Sequence, residues 1–227
     1  MITGRTRLVA LLGHPVAGSL SPQMQNAAFT ERELDWAYVA CDVVPDLFET
    51  AVRGLAAAGF AGANVTTPHK AAAAALADTE LDSVNTLVFT EENIVGYSTD
   101  AALLDDLIAD HPVILGAGGA ALAFRAALPE ARIFSRKTNW PPEIDGADVI
   151  VNATSERDEV LVELGEGQTL VDLPYPETAT AIAAREAGAS VMSGLEVLVA
   201  QGAASFELWT GVPAPVEAMR RAVGLSA

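Results

Sequence analysis

Short apolar runs set apart by helix-length stretches limit what this chain can fold into. Residues 8–12, 37–43 and 60–65 are apolar and carry valine or aromatic side chains, and Gly, Pro or Asn residues punctuate them. They are too short for helices and have the length and composition of strands. Residues 22–34 and 46–58, which lie between them, read as helices, with Ser21 as the cap of the first and Pro22 at its first position. Residues 70–77 are mostly alanine, the best helix former, and predict a short helix. Residues 84–89 and 94–97 predict two more strands. This β-α-β-α-β order implies a mostly parallel sheet with helices on its faces.

A second α/β series starts near residue 101. Residues 103–109 read as a helix broken by His111-Pro112. Strands are expected at 113–115, 132–134, 148–151, 169–172 and 190–192. Helices are expected at 120–128, 178–187, 195–209 and 215–223. There is no internal repeat beyond the two series. The fold class is therefore α/β with two lobes joined near residue 100.

Composition narrows the function. Hydrophobic residues make up 51% and charged residues 19%, a globular balance. The net charge of -17 disfavours nucleic acid and anionic membranes as partners, and an anionic substrate would need local positive charge. A single cysteine, Cys41, allows neither an internal disulfide nor a cysteine metal cluster. His14, His69 and His111 have no ligand spacing, so no metal is expected. No apolar run has the length of a membrane span, and no leader pattern opens the chain. The expectation is a soluble, cytoplasmic protein.

Residues 113–115 run into Gly116-Ala117-Gly118-Gly119-Ala120-Ala121 and then a helical pattern. This is G-x-G-x-x-(G/A) in a strand–turn–helix context, which suits a dinucleotide pyrophosphate at a helix N-terminus. A plain tight turn would use the same glycines. An acidic residue about 20 positions on usually reads the ribose of NAD. Here that place holds Ser135-Arg136-Lys137, two cations suited to a 2′-phosphate, so NADP is favoured. A basic loop end on an acidic surface is the alternative.

The 13 cations comprise 11 arginines and 2 lysines, Lys70 and Lys137. Arginine cannot give up its proton in a protein, whereas lysine can. A general acid/base therefore requires lysine where charge alone would accept arginine. Two exceptions in a chain carry little weight by themselves. Lys70, however, follows Asn64-Val65-Thr66-Thr67-Pro68-His69, and Asn64 and Thr66 can share a face at a strand's carboxyl end, where open α/β sheets bind ligands.

That segment, Asn64 to Lys70, resembles the substrate motif of the shikimate dehydrogenase family. Gly13-His14-Pro15 with Ser19-Leu20-Ser21-Pro22, then Val84-Asn85-Thr86-Leu87, Ser98-Thr99-Asp100, the glycine loop, and Gln201 with Ser205-Phe206-Glu207-Leu208-Trp209-Thr210-Gly211 also resemble that family's motifs, in its order and over nearly the whole chain. The resemblance implies a mostly parallel α/β substrate domain at 1–100, with C-terminal helices from about 203–227 packing back on it. It implies a Rossmann-like NADP-binding domain at 101–202.

It also implies reversible NADPH-dependent reduction of 3-dehydroshikimate to shikimate, within aromatic amino-acid synthesis. Lys70 would be the acid/base and Asp100 its partner. Ser19, Ser21 and Tyr175 would bind the substrate carboxylate, and Asn64, Thr66, Asn85 and Gln201 its ring hydroxyls. Gly116, Ala117, Gly118, Gly119, Ala120, Ser135, Arg136 and Lys137 would hold the cofactor, with Leu173 and Gly194 near the nicotinamide. By themselves, Ser19 and Ser21 also read as ordinary loop and cap residues. The chain departs from the family pattern in being shorter. Residues 137–148 stand in place of a helix-bearing segment, Gly18 and Gln25 stand where histidines are usual, and Ser193 stands for a common Asp. Those departures keep open a quinate-type or NAD-using relative, or a non-catalytic shikimate binder. A monomer or a homodimer is expected.

Overall fold

A computed structural model of the chain describes residues 2–226, without the side chains of Asp105 and Asp106; Met1 and Ala227, the outer limits of the expected domains, lie outside the described residues. It divides into two compact units, Met1–Thr99 with Val199–Ala227, and Asp100–Leu198.

The first unit is built on strands β1 (Arg7–Gly13), β2 (Trp36–Asp42), β3 (Gly62–Val65), β4 (Thr86–Phe89) and β5 (Ile94–Tyr97). Their order is β2-β1-β3-β4-β5. β1 pairs in parallel with β2 and β3, while β4 and β5 join antiparallel. Val9, Ala10, Leu11 and Leu12 are all buried, which is why the run is apolar throughout and not alternating. Ala10 and Leu12 pack with Phe48, Val52 and Ala73 from helices α2 (Phe48–Ala57) and α3 (Lys70–Leu76). Val9 and Leu11 face the other side by strand alternation.

Helix α1 (Ser21–Glu31) packs against α7 (Val216–Ala222), and its Phe29 stacks on Phe206 at 5.4 Å between centroids. Full burial of a side chain such as Phe29 or Met24 contributes about 1.5–3 kcal/mol. The helix starts one residue earlier than expected. Ser21 is its first residue, not its cap; Leu20 holds the cap position, and the Ser21 amide donates to Ser19 Oγ at 3.2 Å. It stops at Glu31 because Glu33 takes φ 54° and the Leu34 amide turns back to the Phe29 carbonyl at 2.9 Å, a left-handed C-cap.

Trp209, in the part of helix α6 (Gly194–Thr210) that belongs to this unit, donates from Nε1 to the Leu87 carbonyl at 3.0 Å. A Cβ at Gly62 would lie 2.5 Å from that Nε1 and 2.2 Å from the Leu87 oxygen, so only glycine lets the indole dock.

The second unit is an all-parallel sheet of β6 (Val113–Leu115), β7 (Arg132–Phe134), β8 (Val149–Asn152), β9 (Thr169–Asp172) and β10 (Ser190–Met192) in the order β10-β9-β8-β6-β7. Ile114, Val149, Val151 and Val171 pack on one face with Phe124 of α4 (Gly119–Ala127). Val113, Leu115, Ile150 and Leu170 pack on the other with Ala181 and Ala184 of α5 (Ala179–Glu186). Two crossovers carry no helix. Ile144 on the β7–β8 connection, and Val162 and Leu164 on the β8–β9 connection, cover the sheet there instead.

The helix expected at 103–109 is corrected to a 3-10 turn, Ala102–Asp106, after which Leu107 is extended (φ -110°, ψ 124°). A distant carboxylate decides this. Asp148 accepts the amides of Asp110 at 2.6 Å and His111 at 2.9 Å, holding the backbone extended into Pro112. Burial opposes ionisation of Asp148, but these amides, with its own and that of Val149, bring its carboxyl net below the ordinary range. Among the described residues no helix is long and apolar enough to cross a membrane, and no group of side chains is arranged to hold a metal ion.

Candidate functional site

In the first unit, the polar residues at the carboxyl ends of β3 and β1 lead into α3. Lys70 is half-buried at the first position of α3, and its carbonyl accepts the Val84 amide at 3.1 Å, which fixes it beside Asn85 in the chain. Asn85 is buried. Its Nδ2 donates to Thr99 Oγ1 at 3.0 Å and to Gln201 Oε1 at 3.3 Å, while its Oδ1 accepts the Thr99 amide at 2.8 Å. The structure therefore joins two of the expected substrate residues, Asn85 and Gln201, across 116 positions of sequence.

Asn64 is buried as well. Its Oδ1 accepts the Tyr38 hydroxyl at 2.8 Å, and its Nδ2 faces the Asn85 carbonyl, Thr86 Oγ1 and Ser205 Oγ at 3.0–3.1 Å. Ser205 in turn donates to the Gln201 carbonyl at 2.9 Å. Asn64 thus meets Asn85 directly and Gln201 through Ser205. Thr66 is half-buried, and its methyl fills the space where a Cβ at Gly13 would sit, 2.4 Å away.

His69 is buried and structural. Its Nε2 lies 2.7 Å from the Val43 carbonyl and its ring stacks on Phe48 at 4.6 Å. Ser19 is half-buried and Ser21 buried, joined through the Ser21 amide. Tyr38, Thr86, Thr99 and Ser205 were not singled out as site residues in the sequence. Thr86, Thr99 and Ser205 lie inside the quoted motifs, whereas Tyr38 is a buried residue of β2 with no local pattern to mark it.

In the second unit, a cleft of about 520 Å³ opens at the carboxyl ends of β6, β7 and β8, lined by Gly116, Ala117, Gly118, Ser135, Arg136, Lys137, and by residues after β8. The size suits a small ligand. β6 has β7 on one side and β8 on the other, so the cleft sits at the topological switch point of the sheet.

Gly116 takes φ 119°, and a Cβ there would stand 2.8 Å from the Ala153 oxygen; a Cβ at Gly118 would meet nothing within 4 Å. Gly116 thus makes the turn and Gly118 leaves room. Gly118 is also the cap residue of α4, whose residues include Gly119 and Ala120. This arrangement fits a dinucleotide phosphate at the helix N-terminus.

Asn139 closes the next loop. Its Oδ1 accepts the Ser135 amide at 3.1 Å and its Nδ2 donates to the Ile133 carbonyl at 2.8 Å, leaving Arg136 and Lys137 exposed at the apex. Trp140, on the β7–β8 connection, lies under the Arg136 guanidinium, 5.5 Å from Cζ to the ring centroid. The cationic loop fits a 2′-phosphate in charge, and the indole supplies an apolar wall.

The third wall is held from below. Asn152 accepts the Thr154 amide at 3.2 Å and hydroxyl at 2.8 Å, and Thr154 Oγ1 accepts the Glu156 amide at 3.2 Å. The Glu156 carboxylate is held below the ordinary range by the amide of Asp158 first, then that of Arg157, with a further contribution from Arg136. Leu173 and Gly194 meet through the backbone; a Cβ on Gly194 would stand 2.5 Å from the carbonyl oxygens of Leu173 and Pro174. Ser193 and Glu196 cap α6 reciprocally, with Glu196 Oε2 2.7 Å from the Ser193 amide. Tyr175 is half-buried in the β9–α5 loop of this unit.

Residues 11–87 match the family described as shikimate dehydrogenase substrate binding domain, and residues 194–223 match the shikimate 5′-dehydrogenase C-terminal domain. A protein of Anaeromyxobacter dehalogenans named shikimate dehydrogenase (NADP(+)) is 38% identical, over 98% of either chain. One of the same name from Methanopyrus kandleri is 40% identical, over 98% of this chain and 96% of its own. The first alignment spans 271 positions against 227 residues here, so that relative carries internal segments that this chain lacks. The crystal structure of shikimate 5-dehydrogenase from Thermus thermophilus with NADP(H) and shikimate superposes with a TM-score of 0.85 at 30% identity, covering 95% of this chain and 98% of that one.

Proposed function

The chain belongs to the shikimate dehydrogenase family, and from that membership we propose that it catalyses the reversible NADPH-dependent reduction of 3-dehydroshikimate to shikimate. The observation that carries this reading is the amide and hydroxyl network beside Lys70. Asn85 and Gln201 are locked side by side at 3.3 Å by buried partners. A ring bearing several hydroxyls requires such a convergent, pre-oriented set, and a substrate without those hydroxyls leaves polar groups unpaired and is rejected.

The first unit is the substrate unit and the second, with its glycine turn and cationic loop, the cofactor unit. Bound NADPH supplies the hydride for the ketone carbon. Lys70 delivers a proton from Nζ to the oxygen as it gains negative charge, and takes it back in the reverse direction. Asp100 is its partner in proton handling. Asn64, Thr66, Asn85 and Gln201 hold ring hydroxyls, and Ser19, Ser21 and Tyr175 bind the carboxylate. Gly116 to Ala120 hold the pyrophosphate; Ser135, Arg136 and Lys137 hold the 2′-phosphate; Leu173 and Gly194 flank the nicotinamide. The substrate and cofactor are small molecules, and the working compartment is the cytoplasm.

Initial rates with shikimate and each oxidised cofactor, followed at the reduced-nicotinamide absorbance, test the reading. Turnover with NADP is expected to exceed that with NAD. No turnover of shikimate with either cofactor would overturn it.

A further inference from the structure

Arg136 is the arginine offered for a 2′-phosphate, and its guanidinium already has carboxylate partners. Nη2 lies 2.5 Å from Glu159 Oε2, and Nη1 lies 3.5 Å from Glu156 Oε2. Both acids come from the β8–β9 connection, which crosses without a helix. The two differ in freedom. Glu156 Oε1 accepts the amides of Arg157 at 3.0 Å and Asp158 at 3.1 Å, so its carboxylate is part of the loop's own structure. The Glu159 side chain is 65% exposed and reaches Arg136 from the solvent side.

A guanidinium offers one planar fork, and a carboxylate and a phosphate seek it in the same way. We propose that Glu159 is a cofactor-discriminating residue, whose carboxylate competes with the 2′-phosphate of the dinucleotide for Arg136. A dinucleotide without that phosphate makes no demand on the fork and leaves the Arg136–Glu159 pair intact. The chain therefore favours NADP less strongly than Arg136 and Lys137 alone would make it. This inference rests on the reading of the second unit as the cofactor unit. Arg136 and Glu159 are both half-exposed or more, and exposed pairs are weak, so the effect is an increment of about two- to fivefold in affinity.

The test is calorimetric titration of the full chain with adenosine 2′,5′-bisphosphate and with adenosine 5′-monophosphate, which differ only in the 2′-phosphate. Glu159→Gln is expected to tighten the bisphosphate about two- to fivefold and to leave the monophosphate unchanged. The gain is expected to vanish when Arg136→Gln is already present. An unchanged ratio between the two ligands overturns the competition. So does an equal gain in the Arg136→Gln background, which would mark general relief of negative charge. Binding of neither ligand by the natural chain and the variant alike overturns the cofactor reading and the competition with it, whereas binding with an unchanged ratio overturns the competition alone.

Discussion

Asn152 donates a 2.7 Å hydrogen bond from Nδ2 to Asp172 Oδ1, and both side chains are sealed from solvent. The two residues are direct partners at the carboxyl ends of adjacent parallel strands, β8 and β9. Asn152 Oδ1 meanwhile accepts two bonds from Thr154, so one amide ties a buried carboxylate to the wall of the cleft at the ends of β6, β7 and β8. Asn152→Ala strips the carboxylate of this donor and Thr154 of its acceptor. The expected cost is about 1–3 kcal/mol of stability, in the upper part of that span because a carboxylate is involved. Urea unfolding reads the stability, and titration with adenosine 2′,5′-bisphosphate is expected to show weaker binding in the same variant.

Asp172 also carries a pH signature. Burial pushes its carboxyl above the ordinary value of 3.8, against the opposing hydrogen bonds from Asn152 and Thr178. Between 3.8 and the raised folded value, the native state binds more protons than the unfolded chain. Stability from this group is therefore full below the unfolded pKa and is lost as pH rises through the folded one. Asp172→Asn removes that slope and keeps an oxygen for Asn152 to bond. Urea midpoints of the two chains, compared over a pH series upward from 3.8, are expected to show the natural chain losing ground to the variant as pH rises. Parallel curves would remove Asp172 as the source.

The alternation of strands and helices was legible because burial on both faces makes each strand a nearly plain apolar run, as in Val113–Leu115 and, but for the terminal Asn152, Val149–Asn152. The glycine turn was legible for the same local reason, since a positive φ at Gly116 leaves few other residues. What escaped depends on distant partners. Residues 103–109 have a helical pattern, but Asp148, some forty positions on, holds the end of that segment extended. Tyr38 and Ser205 reach Asn64 across 26 and 141 positions. Glu159 sits in a connection with no periodicity, and nothing local to it announces Arg136.

Gly116 and Gly118, in the turn between β6 and α4, are expected to respond differently to alanine. Gly116→Ala forces φ 119° on an L-residue and drives a Cβ to 2.8 Å from the Ala153 oxygen. The strain is expected to cost about 1–3 kcal/mol of stability as well as dinucleotide affinity. Gly118→Ala puts a methyl into space with nothing within 4 Å, so the fold is expected to keep its stability. Any loss of NADP affinity in that variant reports the ligand's own approach to the backbone. Thermal unfolding beside calorimetric NADP titration separates the two. Equal effects on stability would refute the division of labour.

Lys70 provides the sharpest test of proton transfer as against simple charge. It is one of only two lysines among 13 cations, and it opens α3 half-buried beside the Asn85 network. Lys70→Arg keeps a cation at the position but not a proton that can leave, because a guanidinium does not deprotonate in a protein. If Lys70 merely attracts the substrate, arginine should restore most of the activity lost in Lys70→Ala. If it carries the proton, both variants are expected to lose about 10²- to 10⁴-fold in kcat, with a much smaller change in KM. Steady-state rates for shikimate oxidation by the natural chain and both variants decide between the two, and recovery in the arginine variant would take Lys70 out of the acid/base role.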